Sequence, residues 1–238
     1  MKTDVLVFAA HPDDAELSCS GTIAKLTKAG KKVVLVDLTQ GEMGTRGTIE
    51  TRKTESDASS EILKLADRIQ LGLGDTTFSN DRAHQLPLIE TIRHFQPDLV
   101  FCNALEDRHP DHGRGAELAA DACFFSGLAK IESNWKGVAQ KAWRPKLVLH
   151  YIQDRLYKPD FVVDISETWE IKKASIMAFK SQFYDPASQE PTTYISSPEF
   201  LNFIESRARE MGHLIGVEFG EGFHCKRPIG ISDLSCLI

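Results

Sequence analysis

His11, Asp13 and Asp14 stand together in VFAAHPDDAE, residues 7–16, directly behind an apolar run. Adjacent carboxylates repel one another, so a fold that keeps both ionised needs a positive charge beside them. A second cluster, ALEDRHPDHGRG at 104–115, supplies His109, Asp111 and His112. Pooled, these are the donors of a catalytic metal site. Imidazole and carboxylate suit zinc, which in such sites keeps three protein ligands and one open position; ferrous iron accepts the same donors. We assign the ligands to His11, Asp14 and His112. Pro12 restricts His11 to extended backbone. Asp13, next to a ligand, is placed as general base toward a metal-activated water. His109 is placed to stabilise an oxyanion when protonated, with Asp111 as the hydrogen-bond partner that fixes its tautomer and raises its pKa. Taken singly, HPDD reads as a turn and HPDH as a helix cap. Two such clusters behind two buried strands favour the metal.

The elements that must position these groups follow an alternating pattern. Strands are expected at 4–10, 32–38, 68–73, 98–103, 146–152 and 161–165, and helices at 20–29, 48–66, 86–95, 112–126, 167–180 and 198–211. Strand–helix alternation at this spacing predicts an α/β fold, a Rossmann-like, mostly parallel sheet flanked by helices with right-handed crossovers. With strand order 3-2-1-4-5, the switch point lies between the first and fourth strands, and ligands gather there at the carboxyl ends. Both clusters leave the sheet at that crevice. The rest of the chain reads as a C-terminal elaboration of a single domain over 1–238, with a loop at 182–198.

Composition narrows the function class. The 238 residues are 42% hydrophobic and 26% charged, with a net charge of -6. No run of Lys or Arg stands out, which argues against broad binding to nucleic acid or an anionic membrane. No secretory signal or membrane-length apolar stretch is visible. Cys19, Cys102, Cys123, Cys225 and Cys236 show no CxxC spacing, as expected of reduced thiols in a cytoplasmic protein. Asp37 ends the second strand where a dinucleotide enzyme binds ribose, but the Gly-rich fingerprint is missing.

AHPDDAE with EDRHPDH resembles the PIG-L/LmbE-like family of zinc-dependent N-acetylglucosamine deacetylases. GTIAKLTKAGKKVVLVDLTQGEMGTRGTIETRKTE, DISE, SQF and GEGFHCKRPIG extend the likeness to its bacillithiol-biosynthesis branch, in order along nearly the whole chain. The resemblance implies hydrolysis of N-acetylglucosaminyl malate to glucosaminyl malate and acetate. It places the metal ligands on His11, Asp14 and His112, the base on Asp13 and the oxyanion-stabilising residue on His109. It also implies a small-molecule amino-sugar glycoside as substrate and a homo-oligomer, trimer or hexamer. The two malate carboxylates call for guanidinium groups, for which Arg52 and Arg108 are candidates and Arg46 a weaker one. Glu42 is a candidate acceptor for a sugar hydroxyl.

Overall fold

Valine-rich runs covered on both faces form the centre of the sheet in the computed structural model, which describes residues 2–234. Strands β1 (Val5–Ala9), β2 (Val33–Asp37), β3 (Asp67–Gln70) and β4 (Leu99–Cys102) are parallel. A two-stranded hairpin, β5 (Asn134–Trp135) with β6 (Val138–Ala139), precedes β7 (Leu147–Tyr151), which pairs in parallel with β4. Strands β8 (Phe161–Asp164) and β9 (Gly220–His224) complete the sheet in the order β3-β2-β1-β4-β7-β9-β8. The first five positions reproduce the expected order. Beyond them β9 inserts antiparallel to both neighbours.

Helices α1 (Asp14–Lys28), α2 (Ile49–Leu63) and α5 (Trp169–Met177) cover one face; α3 (Arg82–Phe95) and α4 (Pro110–Phe125) cover the other. Helix α6 (Pro198–Leu214) packs on β8 and β9 and joins α5 around Phe179, Phe183 and Phe219. Burial of Leu88, Ile92 and Leu118 under α3 and α4 contributes about 1.5–3 kcal/mol per side chain. Among the described residues no helix is long and apolar enough to cross a membrane. Cys19, Cys102, Cys123 and Cys225 are free thiols; Cys236 lies outside the described residues.

Three boundaries differ from the sequence expectation. Helix α1 starts at Asp14, not near residue 20, because its first turns bury polar residues that hide the apolar period. Glu16 is fully buried, and its carboxylate takes hydrogen bonds from Arg68 Nη1 (2.7 Å) and Ser59 (2.6 Å). The same guanidinium makes a bidentate pair with Asp37 at 2.8 and 2.9 Å. Asp37 thus serves the sheet edge and is no ribose ligand. Helix α3 starts at Arg82, capped by Asp81, because Pro87 sits inside the helix.

The third difference is β9, a strand that the apolar pattern does not predict. GEGFH is glycine-rich because α6 and β8 approach it closely: a Cβ on Gly220 would lie 2.6 Å from Val162 and 2.8 Å from the Gly212 nitrogen. Glu221 points from this strand into α1. It accepts from the backbone N–H groups of Gly21 (2.9 Å) and Thr22 (2.7 Å) and pairs with buried Lys172 at 2.6 Å. Removing one partner of a buried pair leaves the other charge uncompensated, at about 3–5 kcal/mol. Glu221→Ala is therefore expected to destabilise by about that amount in urea unfolding. A change under about 1 kcal/mol, the scale of an exposed pair, would show that Lys172 finds another partner.

Candidate active site

The carboxyl ends of β1 and β4 converge as expected, and Asp14 is the hinge of the convergence. Its Oδ1 lies 3.0 Å from His112 Nε2, and its Oδ2 lies 3.6 Å from His11 Nδ1. His11 N–H and Asn103 Nδ2 donate to Oδ2 at 3.0 Å each, and Gln153 Nε2 donates to Oδ1 at 3.2 Å. Asn103 follows β4 and also accepts the Ala10 N–H (2.9 Å), so it ties the two strand ends together. The ring of His109 stands 4.8 Å from His11 and 5.3 Å from His112, centroid to centroid. Asp14 therefore contacts both of the expected histidine ligands, with His109 beside them.

Neighbours orient the imidazoles. His112 Nδ1 lies 2.5 Å from Asp107, which leaves Nε2 facing Asp14. Carboxylate–imidazole pairs of this kind fix the tautomer of a metal-binding histidine. His11 Nε2 lies 3.0 Å from Asp75 and 3.3 Å from Asp111. Thr76, at φ 64°, turns its N–H onto Asp111 (2.9 Å). A β-branched residue in the left-handed region is strained, and such strain persists where surrounding structure over-determines it. Asp13 is strained as well, at φ 112°: it is the N-cap of α1, yet its side chain makes no capping bond. Its carboxylate is left for the cavity, with Arg52 Nη2 at 3.2 Å.

The charge balance calls for a cation. Five carboxylates (Asp13, Asp14, Asp75, Asp107, Asp111) and three imidazoles crowd the site, most of them buried. Burial works against charge on His112, but Asp14 and Asp107 outweigh it and hold its pKa at about 9. Burial likewise works against His11 and is outweighed by Asp111, Asp14 and Asp75, which raise it well above the usual value. Asp14 is held well below the ordinary carboxylate range, since His112 and His11 overcome its burial. Burial, opposed by Arg52, pushes Asp13 up to about 7. Ligand atoms of His11, His109 and His112 lie within 4.8 Å of one another, as do those of His11, Asp75 and Asp111. Two imidazoles and a carboxylate with carboxylates behind them suit a divalent cation of the zinc or ferrous type.

Several expected contacts are arranged otherwise. The Asp111 carboxylate does not hold His109: it is taken up by His11, the Thr76 N–H and Arg114 (2.6 Å). Instead the Asp111 backbone N–H donates to His109 Nδ1 at 3.2 Å. A ring that accepts at Nδ1 carries its neutral-state proton on Nε2. Burial, with His11 and His112 nearby, pushes the His109 pKa down, opposite to the expected rise. Glu42 does not face a sugar site; it accepts the N–H groups of Asp75 (2.8 Å) and Gln40 (2.9 Å) and rigidifies its loop. Arg46 lines the cavity but is bound to Ser188 (2.6 Å) and Glu190 (3.4 Å), latching segment 41–47 to segment 181–190. Arg52 is buried with Nη2 on Asp13 and the Pro12 carbonyl, so it braces the proposed base, while its Nε lacks a partner among the described residues and the side chain lines the cavity. Arg108 lines the cavity, 47% exposed, stacked 4.4 Å over Tyr194 and 3.5 Å from Asp154. His150 is a satisfied core histidine against the Asn103 carbonyl (2.9 Å), as expected.

The cavity in front of these groups has a volume of about 310 Å³ and continues from the histidine cluster to α6. Asp75, Asn103, Asp107 and Gln153 were missed in the sequence. Only Asp107, two residues before His109, carried a local signal. The assembled site can hold a cation, present a carboxylate base beside it and place an imidazole N–H across from that base.

The model of the PIG-L family, described as GlcNAc-PI de-N-acetylase, matches residues 6–123. Diacetylchitobiose deacetylase of Thermococcus kodakarensis is 31% identical over 189 residues, covering 75% of this chain and 70% of that protein. The probable N-acetyl-alpha-D-glucosaminyl L-malate deacetylase 2 of Bacillus cereus is 30% identical over 201 residues, covering 76% and 84%. The crystal structure of the conserved protein TT1542 from Thermus thermophilus superposes with a TM-score of 0.85 at 32% identity, covering 96% of this chain and 97% of that one. The chain belongs to the PIG-L family and is an N-deacetylase.

Proposed function

We propose that this chain is a zinc-dependent hydrolase that removes the acetyl group from N-acetylglucosaminyl malate, giving glucosaminyl malate and acetate. One observation carries the reading: Asp14 lies between His11 and His112 while Asp13 and His109 stay clear of that bond set, facing one cavity. The malate glycoside is favoured by the motifs shared along the chain and by the name of the Bacillus cereus relative. Diacetylchitobiose, named for the Thermococcus relative, makes the alternative substrate with the same chemistry.

His11, Asp14 and His112 would hold the zinc. When bound, zinc supplies Lewis acidity that polarises the acetyl carbonyl and lowers the pKa of water at the site to about 7. Asp13 takes the proton from the attacking water. Arg52 fixes the orientation of that carboxylate. The His109 Nε2–H donates to the oxyanion that forms as water adds to the carbonyl. The C–N bond then breaks, and the departing amine takes from Asp13 the proton that this carboxylate drew from the water. Asp107 and Asp75 keep the two imidazoles in register throughout.

The test is release of free primary amine by zinc-supplied protein from N-acetylglucosaminyl malate and, separately, from N-acetylglucosamine. Release from the malate glycoside well above that from the bare sugar is expected. Equal release from both would detach the chain from the malate substrate, and release from neither would overturn the reading.

A further inference from the structure

Part of the cavity wall comes from α6, an element that the proposed chemistry does not use. Ile204 and Arg207 from this helix line the cavity together with Tyr194, Arg108 and Asp154. Among the described arginines, Arg207 and Arg52 (at Nε) each keep a buried donor without a partner, and of the two only Arg207 lacks a paired carboxylate. Arg68 is bonded to Asp37 and Glu16, Arg93 to three backbone carbonyls, Arg46 to Ser188, and Arg52 to Asp13. Arg207 Nη1 is buried with no hydrogen-bond partner among the described residues. Its guanidinium lies 4.8 Å over the Phe203 ring, which supports its plane and satisfies none of its N–H groups.

An unmet buried guanidinium donor costs free energy, and a fold keeps one where a ligand completes it. The surrounding charge points to the sign of that ligand. Burial disfavours the charge on Arg207, while Asp154 and Asp107 favour it. Both acids already have partners: Asp154 accepts from Tyr194 (2.9 Å) and pairs with Arg108 (3.5 Å), and Asp107 holds His112 and the Arg155 N–H (2.7 Å). Two guanidinium groups, Arg108 and Arg207, therefore line the cavity with acids that are already engaged. The missing acceptor is a planar anion that matches the guanidinium fork.

We propose that Arg207 is a specificity-determining residue that binds a carboxylate on the aglycone of the substrate, making the chain selective for carboxylate-bearing N-acetylglucosaminides. The assignment rests on the deacetylase reading above and deepens it. Arg207 anchors the anion from α6, the Ile204 side chain of the same helix packs on the apolar part of the aglycone, and the acetamide reaches the histidine cluster at the other end. A neutral glycoside leaves the Arg207 donors unmet, so discrimination acts on kcat/KM.

The experiment compares the zinc-supplied wild type with Arg207→Gln and Arg207→Lys on three substrates: N-acetylglucosaminyl malate, its dimethyl ester and methyl N-acetylglucosaminide. A second readout is the dissociation constant of the product glucosaminyl malate. Loss of a charge-assisted hydrogen bond predicts that Arg207→Gln lowers kcat/KM for the dicarboxylate about 10- to 100-fold. It weakens product binding by a similar factor and leaves both neutral glycosides unchanged. Arg207→Lys, which keeps the charge, recovers part of the loss. Equal loss on charged and neutral substrates would make Arg207 a structural residue and overturn the anion site. A wild type that prefers the dimethyl ester would do the same while leaving the deacetylase reading intact. Absence of amine release from all three by wild type would instead defeat the deacetylase reading, and this one with it.

Discussion

Asp13→Asn is expected to retain its metal and its fold yet lose about 10²- to 10⁴-fold in kcat, the usual contribution of a positioned general base. Asn is the informative replacement because it keeps the shape of the side chain and tolerates the left-handed backbone that residue 13 adopts at φ 112°. Alanine would add a backbone penalty to the chemical loss. The amide keeps a carbonyl oxygen toward Arg52, whose guanidinium also rests on the Pro12 carbonyl, so the buried cation is not orphaned. KM should change little, because Asp13 acts on the attacking water and the loss appears mainly in kcat. Zinc content measured beside the kinetics separates this role from coordination. Near-wild-type kcat would remove Asp13 as the base; loss of the metal along with activity would make it a ligand.

His112→Ala is expected to fail at the earlier step, metal retention. His112 is held from both sides, by Asp107 at Nδ1 and Asp14 at Nε2, and sits in the first turn of α4. Its removal takes one of three ligands and leaves Asp14 and Asp107 without the imidazole that holds their charge. A ligand that binds only the folded state raises the melting temperature by mass action. Added zinc should therefore raise the melting temperature of the wild type and leave that of His112→Ala nearly unmoved. Equal zinc stabilisation in the two proteins would place the metal elsewhere, with His11, Asp75 and Asp111 as the neighbouring donor group.

The parts of the fold and site legible in the sequence share a physical cause: their information is local. Strands β1, β2 and β4 are buried on both faces and read as unbroken apolar runs. The histidines and carboxylates follow them within a few residues, so strand order alone brings both clusters together. Helix α1 was partly hidden because its buried face carries the polar residues Glu16, Ser18 and Ser20; Glu16 is met by Arg68 and Ser59 and Ser20 by Ser175, all distant in sequence. Strand β9 was hidden because close packing by α6 demands glycine where a strand ordinarily shows β-branched residues. Asp75 and Gln153 are lone polar residues on loops and acquire meaning only through the tertiary contacts to His11 and Asp14. Arg52 in the first turn of α2, and Arg46 and Glu42 on the loop before it, follow the second strand toward the site, but their partners Asp13, Ser188 and the Asp75 N–H lie across chain contacts that no local pattern reveals. Arg207 lies in ESRAREMG, which reads as a solvated helix face; Arg209 in the same stretch is indeed exposed and paired with Glu205.

The central claim is that a single cation held by His11, Asp14 and His112 makes this chain an N-deacetylase. The most direct measurement is acetate released from an N-acetylglucosaminide by metal-stripped protein as zinc is added back. The stripped chain should release none, and release should rise with added zinc and level off at about one zinc per chain, the stoichiometry of a three-ligand catalytic site. Undiminished release from the stripped chain, or zinc that binds without restoring release, would contradict it.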